Sequence, residues 1–270
     1  MHQNSINILV TLDEAYLTQL NIMLRSLLHS NPGCVFTVYL LHTDIRDNAL
    51  NDTESILAFP HRLINIQAAD LGIDAFPVTS RYPLEMYYRI FAVKYLPNHL
   101  DRILYLDPDI VVTGSLVSLY QTDMGNCLFA ASTHIGKSLH RFNRMRLNME
   151  RDALYVNSGV MLMNLKLLRR EQEFDHVFAY MGTYKNRLLL PDQDIISALY
   201  GDRVLPLDPY IYNMTESLYR RHSIGRKKRT LQDVRENCAI IHYCGRNKPW
   251  KPHYRGKLNV FYCETVSRPY

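Results

Sequence analysis

Apolar positions along the chain fall into short runs and longer periodic stretches that alternate from the N-terminus onward. Asn7–Leu12 (NILVTL) is long enough for a buried strand and too short for a helix. Tyr16–His29 then spaces Leu17, Leu20, Met23, Leu24, Leu27 and Leu28 three and four residues apart, as an amphipathic helix requires. Asn31-Pro32-Gly33 ends it with helix-breaking residues. Strands are predicted at Val35–Leu41, Arg62–Ile66, Arg102–Leu106, Ile110–Val112 and Ala239–Tyr243. Helices are predicted at Glu85–Leu96, Glu173–Tyr184 and Asp192–Tyr200, and Leu154–Leu165 forms a further apolar segment. Strands alternating with helices predict an α/β domain whose mixed, mostly parallel central sheet is flanked by helices. No linker, repeat or low-complexity stretch interrupts the pattern, so residues 1–270 read as a single domain.

Composition narrows the class without naming a function. With 47% hydrophobic and 21% charged residues the chain can fill a core, which excludes disorder. No apolar run approaches the ~18 residues of a membrane span. The opening MHQNSINILVTLDEAY lacks the basic start and apolar core of a secretory signal, so an intracellular protein is expected. The five cysteines are odd in number and contain no CxxC pair, which removes zinc and thioredoxin-like motifs. All five are expected as reduced thiols in or near the core.

Net charge is +5, from 31 Lys and Arg against 26 Asp and Glu, and it is concentrated. Ser217–Gln232 holds Arg220, Arg221, Arg226, Lys227, Lys228 and Arg229 with no acid. Lys137–Arg151 is a second basic stretch. Such patches suit phosphate groups or an anionic bilayer as well as plain solvation. A Rossmann G-x-G-x-x-G, a Walker A loop, a G-x-S-x-G elbow and an H-E-x-x-H helix are all missing.

Two places carry candidate chemistry. Arg102–Leu106 runs straight into Asp107-Pro108-Asp109. Chance placement of 17 aspartates already yields roughly one Asp-x-Asp, and Asp192-x-Asp194 is a second, so the spelling alone means nothing. Position means more, because ligands of open α/β sheets bind beyond the carboxyl ends of strands. Paired carboxylates there suit a hard divalent cation, whereas a turn-capping role needs no ligand. At the end of the Ala239 strand stands His242-Tyr-Cys-Gly-Arg-Asn-Lys248-Pro-Trp250, with Arg246 and Lys248 as donors suited to a diphosphate. Two carboxylates with one imidazole favour Mn²⁺ over Mg²⁺.

Six blocks in order resemble the retaining glycosyltransferases of family 8, a group with bacterial lipopolysaccharide galactosyl- and glucosyltransferases and, more distantly, glycogenin. They are Ile8–Tyr16 (ILVTLDEAY), Met86–Pro97, Arg102–Val112 (RILYLDPDIVV), Tyr155–Leu165 (YVNSGVMLMNL), Leu190–Ser197 (LPDQDIIS) and His242–Trp250. The resemblance implies a GT-A fold, a UDP-sugar donor and Mn²⁺, with Mg²⁺ as the lesser choice. Residues 7–113 would form its nucleotide-binding part and 114–270 its donor-sugar and acceptor part. By that likeness Asp107, Asp109 and His242 hold the metal. Thr11, Asp13 and Tyr16 form the uridine pocket, and Gly245 and Lys248 meet the diphosphate. Arg89, Asn157, Asp192 and Gln193 surround the donor sugar, with Gln193, Asp192 and Arg89 nearest the chemistry. The first block departs from the common pattern in carrying Ala15 where an Asn is often found. Asp192 also reads as the N-cap of the helix that follows.

The activity implied is transfer of glucose or galactose to a glycan or glycolipid, with retention of configuration. Two other readings stand beside it: a haloacid-dehalogenase-type phosphatase using Asp107, and a non-catalytic UDP-sugar-binding relative. Nucleic acid is not expected as a partner, since no recognisable module accompanies Arg220–Arg229. The expected location is the cytoplasm, with Arg220–Arg229 touching the inner face of the membrane or an anionic acceptor.

Overall fold

The computed structural model describes residues 4–68, 84–222 and 229–268. Arg226, Lys227 and Lys228 of the basic segment lie outside the described residues. Among the described residues, nine strands follow in chain order: β1 (Asn4–Thr11), β2 (Cys34–His42), β3 (Arg62–Gln67), β4 (Arg102–Leu106), β5 (Ile110–Val112), β6 (Phe129–Ala131), β7 (Val160–Asn164), β8 (Val204–Pro206) and β9 (Ile240–His242). Seven of them form one sheet in the order β3-β2-β1-β4-β7-β6-β8, and β5 pairs with β9 separately. β3, β2, β1 and β4 run parallel; β7 is antiparallel to both β4 and β6, and β8 runs parallel to β6.

Alternation along the strands supplies a core on each face. Leu9, Tyr39, Ile103, Tyr105, Met161 and Met163 pack on one side, and Ile8, Val10, Val38, Leu104, Leu106 and Leu162 on the other. The helix Leu17–Ser30 covers the second face with Leu17, Leu20, Met23, Leu24 and Leu27, the periodic residues of the sequence.

Three expectations change. The helix predicted over Glu85–Leu96 is two 3₁₀ segments, Leu84–Arg89 and Ala92–Lys94. Met86 through Ala92 is buried at every position, so there is no exposed face to enforce α-helical spacing. The helix after Leu190 begins at Pro191 with Leu190 as N-cap, so Asp192 caps nothing and turns elsewhere. Of the five free cysteines, Cys34 and Cys238 are buried, but Cys244 and Cys263 are exposed. Part of the basic stretch is a helix, Lys137–Leu147. Among the described residues no helix is long and apolar enough to cross a membrane.

Candidate active site

The reversal of β7 builds the site. Because β7 runs against β4, its beginning lies beside the end of β4, with Leu106 opposite Val160. The ladder extends one step when the Asp107 N–H donates to the Gly159 carbonyl (2.8 Å). β9 brings the distant histidine in, since His242 lies opposite Ile110 and the Tyr243 N–H donates to the Asp109 carbonyl (3.0 Å). The result is a cleft of about 810 Å³ at the carboxyl ends of β1 and β4.

The residues that the family resemblance assigns to the site all line this cleft. Thr11, Asp13 and Tyr16 come from the end of β1, Arg89 from the first 3₁₀ segment, and Asp107 and Asp109 from the end of β4. Asn157 precedes β7, Asp192 and Gln193 open the helix Pro191–Tyr200, and His242, Gly245 and Lys248 follow β9.

At the centre, Asp107, Asp109 and His242 offer ligand atoms within 4.8 Å of one another. His242 Nε2 stands 3.1 Å from Asp109 Oδ1 and 3.5 Å from Asp107 Oδ2. Both His242 Nε2 and Asp109 Oδ1 are buried without a hydrogen-bond partner, an arrangement that suits a cation held between them. The other ring nitrogen is committed: His242 Nδ1 pairs with Asn213 Oδ1 (3.0 Å), and Asn213 Nδ2 donates to Asn157 Oδ1 (2.9 Å). The Asn213 oxygen keeps a proton on Nδ1, so Nε2 is the nitrogen that can give up its proton and meet a cation. Gly159 keeps the space open, because a Cβ there would collide with both His242 and Asp107. The donor set therefore fits a divalent cation that accepts nitrogen and oxygen. Nothing in the sequence marked Asn213, which sits in an irregular stretch without a motif.

The charges around this centre are tightly coupled. Burial opposes ionisation of Asp109, but His242 and Lys248 outweigh it and hold the carboxyl below its usual range. Burial likewise opposes charge on His242, yet the nearby carboxylates push its pKa up to about 10. Lys248 Nζ pairs with Asp109 Oδ2 and donates to the Tyr243 carbonyl (3.0 Å). Against the burial that disfavours its charge, Asp109 raises the Lys248 pKa.

Arg89 links the metal-type centre to the rest of the cleft. Its Nη1 lies 3.0 Å from Asp107 Oδ1 and 3.1 Å from Asp192 Oδ2, and its guanidinium stacks 4.3 Å from the Tyr105 ring centroid. Ser158 Oγ donates to Asp192 Oδ2 (2.8 Å), so Asp192 is held by two groups. Burial still raises the Asp192 pKa, only partly offset by Arg89. Gln193 Oε1 accepts from Asn157 Nδ2 (3.2 Å). At the β1 end, Tyr16 meets the edge of Trp250 at 6.3 Å, and Asp13 Oδ1 is buried without a partner.

This mixed sheet, with an Asp-x-Asp at the end of its fourth strand and a cleft across the strand ends, has the architecture of the GT-A fold. Solved structures of the galactosyltransferase LgtC share that fold. One, bound to donor and acceptor sugar analogs, matches with a TM-score of 0.80 at 24% identity, covering 97% of this chain and 95% of that one. An active-site mutant of the same protein matches with a TM-score of 0.84 at 22% identity over the same shares. The family model described as Glycosyl transferase family 8 matches residues 7–253, and the chain belongs to that family. Among curated relatives, a lipopolysaccharide 1,2-glucosyltransferase of Escherichia coli is 27% identical over 256 residues, 92% of this chain and 74% of that protein. A lipopolysaccharide 1,3-galactosyltransferase of Salmonella typhimurium is 24% identical over 251 residues, covering 90% and 72%. Family membership sets aside the phosphatase reading of Asp107.

Proposed function

We propose that this protein is a metal-dependent, retaining hexosyltransferase that moves glucose or galactose from a UDP-sugar to a hydroxyl of a glycan or glycolipid. The observation that carries the reading is the facing pair of unpartnered buried atoms, Asp109 Oδ1 and His242 Nε2, beside Lys248 in a cleft roomy enough for a nucleotide-sugar.

Asp107, Asp109 and His242 hold Mn²⁺, or less well Mg²⁺, which when bound offsets negative charge on the leaving diphosphate. Asp13 Oδ1 accepts from uracil, Tyr16 stacks on the base and Thr11 lines the pocket. Lys248 leaves Asp109 for the diphosphate and Gly245 lets the backbone approach it; the Gly245 φ of 108° suits only glycine. Arg89, Asn157, Asp192 and Gln193 orient the hexose; residues 7–113 serve mainly the nucleotide and 114–270 mainly the sugar and acceptor, with Arg89 reaching to the sugar and His242, Gly245 and Lys248 to the metal and diphosphate.

Retention then follows without a covalent intermediate. The position facing the anomeric carbon is Gln193, an amide whose oxygen already accepts from Asn157, and Asp192 is tied to Arg89 and Ser158. The acceptor hydroxyl attacks on the face the phosphate leaves, the sugar–phosphate bond breaks, and the departing phosphate oxygen takes the acceptor proton. A glycosyl adduct trapped on Asp192 or Gln193 in rapid-quench experiments would overturn this route.

Titration calorimetry of UDP with and without Mn²⁺, on the wild type and Asp109→Ala, tests the donor site. Tight binding that needs Mn²⁺ and collapses in the variant supports it; no UDP binding under any condition sinks it. Slow hydrolysis of UDP-glucose or UDP-galactose then separates an enzyme from a non-catalytic relative. The Arg220–Arg229 segment contacts an anionic acceptor rather than the membrane, so sedimentation with acidic vesicles is expected to be nearly unchanged when Arg226–Arg229 are replaced by Ser.

A further inference from the structure

The helix Lys137–Leu147 (KSLHRFNRMRL) carries Lys137, Arg141, Arg144 and Arg146 and no acidic residue. One side packs inward: Asn143 and Leu147 are buried, and Arg146 reaches in to pair with Asp194. The outward side is apolar along a line. Leu139, Phe142 and Met145, at i, i+3 and i+6, are 49%, 53% and 70% exposed. Lys137, Arg141 and Arg144 run beside them at i, i+4 and i+7.

Leu189, 59% exposed, belongs to a loop fastened to the last turn of this helix. Arg146 donates to the Arg187 carbonyl, and its partner Asp194 accepts the Leu189 N–H (2.6 Å). Seven large hydrophobic residues are exposed among the described residues, and four of them are these. Single exposed apolar residues are ordinary, but a line of them on a surface helix is not.

Parallel apolar and cationic stripes on one helix match the boundary between lipid headgroups and acyl chains. The helix carries no acidic residue, so its cationic stripe complements a laterally extended anionic surface. Arg144 also donates to the Arg151 carbonyl (3.2 Å), while Lys137 and Arg141 are exposed; Arg220, Arg221 and Arg229 engage Glu216, the His134 carbonyl and the Tyr210 ring within the protein.

We infer that the Leu139–Phe142–Met145 face of this helix, with Leu189, docks the protein on an anionic bilayer, with its basic stripe among the headgroups. Leu189 adjoins Leu190, which lines the cleft, so docking brings the cleft rim to the lipid surface. The docking does not rest on the proposed donor; presentation of a membrane-anchored acceptor to the cleft does rest on the proposed function.

The test is sedimentation of the full chain with phosphatidylcholine vesicles, with and without phosphatidylglycerol. The wild type is expected to bind the acidic vesicles and to lose binding as salt rises. Phe142→Ser with Met145→Ser is expected to weaken partitioning about tenfold or more. Arg141→Ser and Arg144→Ser should each weaken it about fivefold, and replacing Arg226–Arg229 by Ser should change it less than about twofold. In Phe142→Trp, the new indole emission should shift to the blue on acidic vesicles. UDP calorimetry and thermal melting of the Ser pair should match the wild type, which separates this proposal from the donor site. No vesicle binding by the wild type, or undiminished binding by the Ser pair, overturns it. So does light scattering that finds a dimer dissociated by the pair, since the face would then cover a second copy.

Discussion

The chain spells Asp-x-Asp twice, and the two pairs end in opposite states. At the end of β4, Asp109 Oδ1 has no partner, and Asp107 Oδ2 faces an imidazole nitrogen 3.5 Å away. At the start of the helix Pro191–Tyr200, Asp194 is fully buried and saturated. It takes Arg146 on both oxygens at 2.8 and 2.9 Å, the Tyr155 hydroxyl at 2.7 Å, and the N–H groups of Leu189 and Leu190 at 2.6 and 3.1 Å. Asp192 stands between these extremes, held by Arg89 and Ser158 but open to the cleft. A carboxylate meant for a ligand is left under-satisfied, while one that fixes a loop is filled completely. Asp194 thus sets the position of the turn that delivers Asp192 and Gln193.

The sharpest way to break this contrast is Asp194→Ala. Removing one side of a buried ion pair leaves Arg146 uncompensated and should cost about 3–5 kcal/mol, lowering Tm by roughly 10 °C. Thermal melting checks it, and an unchanged Tm would show that the two pairs are alike after all. Next comes Asp109→Ala, expected to weaken Mn²⁺-dependent UDP binding about 100-fold or more, roughly 2.7 kcal/mol, with Tm moved by only a few degrees. Calorimetry and melting on the same sample read both numbers.

Asn213→Ala sharpens the comparison by touching the centre without touching a ligand. Losing the acceptor for His242 Nδ1 should reduce Mn²⁺ affinity about 10- to 100-fold, measured by metal titration.

The smallest step, taken per pH unit, comes with pH. In the metal-free protein the His242 pKa is pushed up to about 10, so a cation must displace its proton. Mn²⁺ affinity should therefore rise up to about tenfold per pH unit below that value, with proton release visible in buffers of different ionisation heat. The sign for stability is opposite. Because the folded pKa is raised, this group's contribution is fully present below about pH 6.5 and is lost as pH rises through about 10. Melting of the metal-free protein between those limits follows it.

Much of the first half of the fold was legible because β1, β2 and β4 are continuous apolar runs and Leu17–Ser30 has a clear helical period. β6 and β8 were not: they are as short as β5 and β9 but lack the adjacent β-branched residues that mark those two. The Lys137–Leu147 helix was hidden by its basic composition. Its exposed apolar line is visible as exposed only once Asn143 and Leu147 are seen to face inward. Asn213 left no trace in the sequence because an amide that only holds His242 Nδ1 needs to be in the right place, not in a motif.

The sequence by itself determined which residue types stand at strand ends, and the side chains named through the family blocks meet in one cleft. Local order suffices there, because a buried strand and the turn after it are encoded by neighbouring residues. Which carboxylates stay unsatisfied was decided only by tertiary structure. Asp194 is saturated by an arginine 48 positions away, and Asp109 meets Lys248 across 139 positions. Hydrogen-bond satisfaction is a property of the folded neighbourhood, so two identical spellings became an open metal-type site and a closed structural strut.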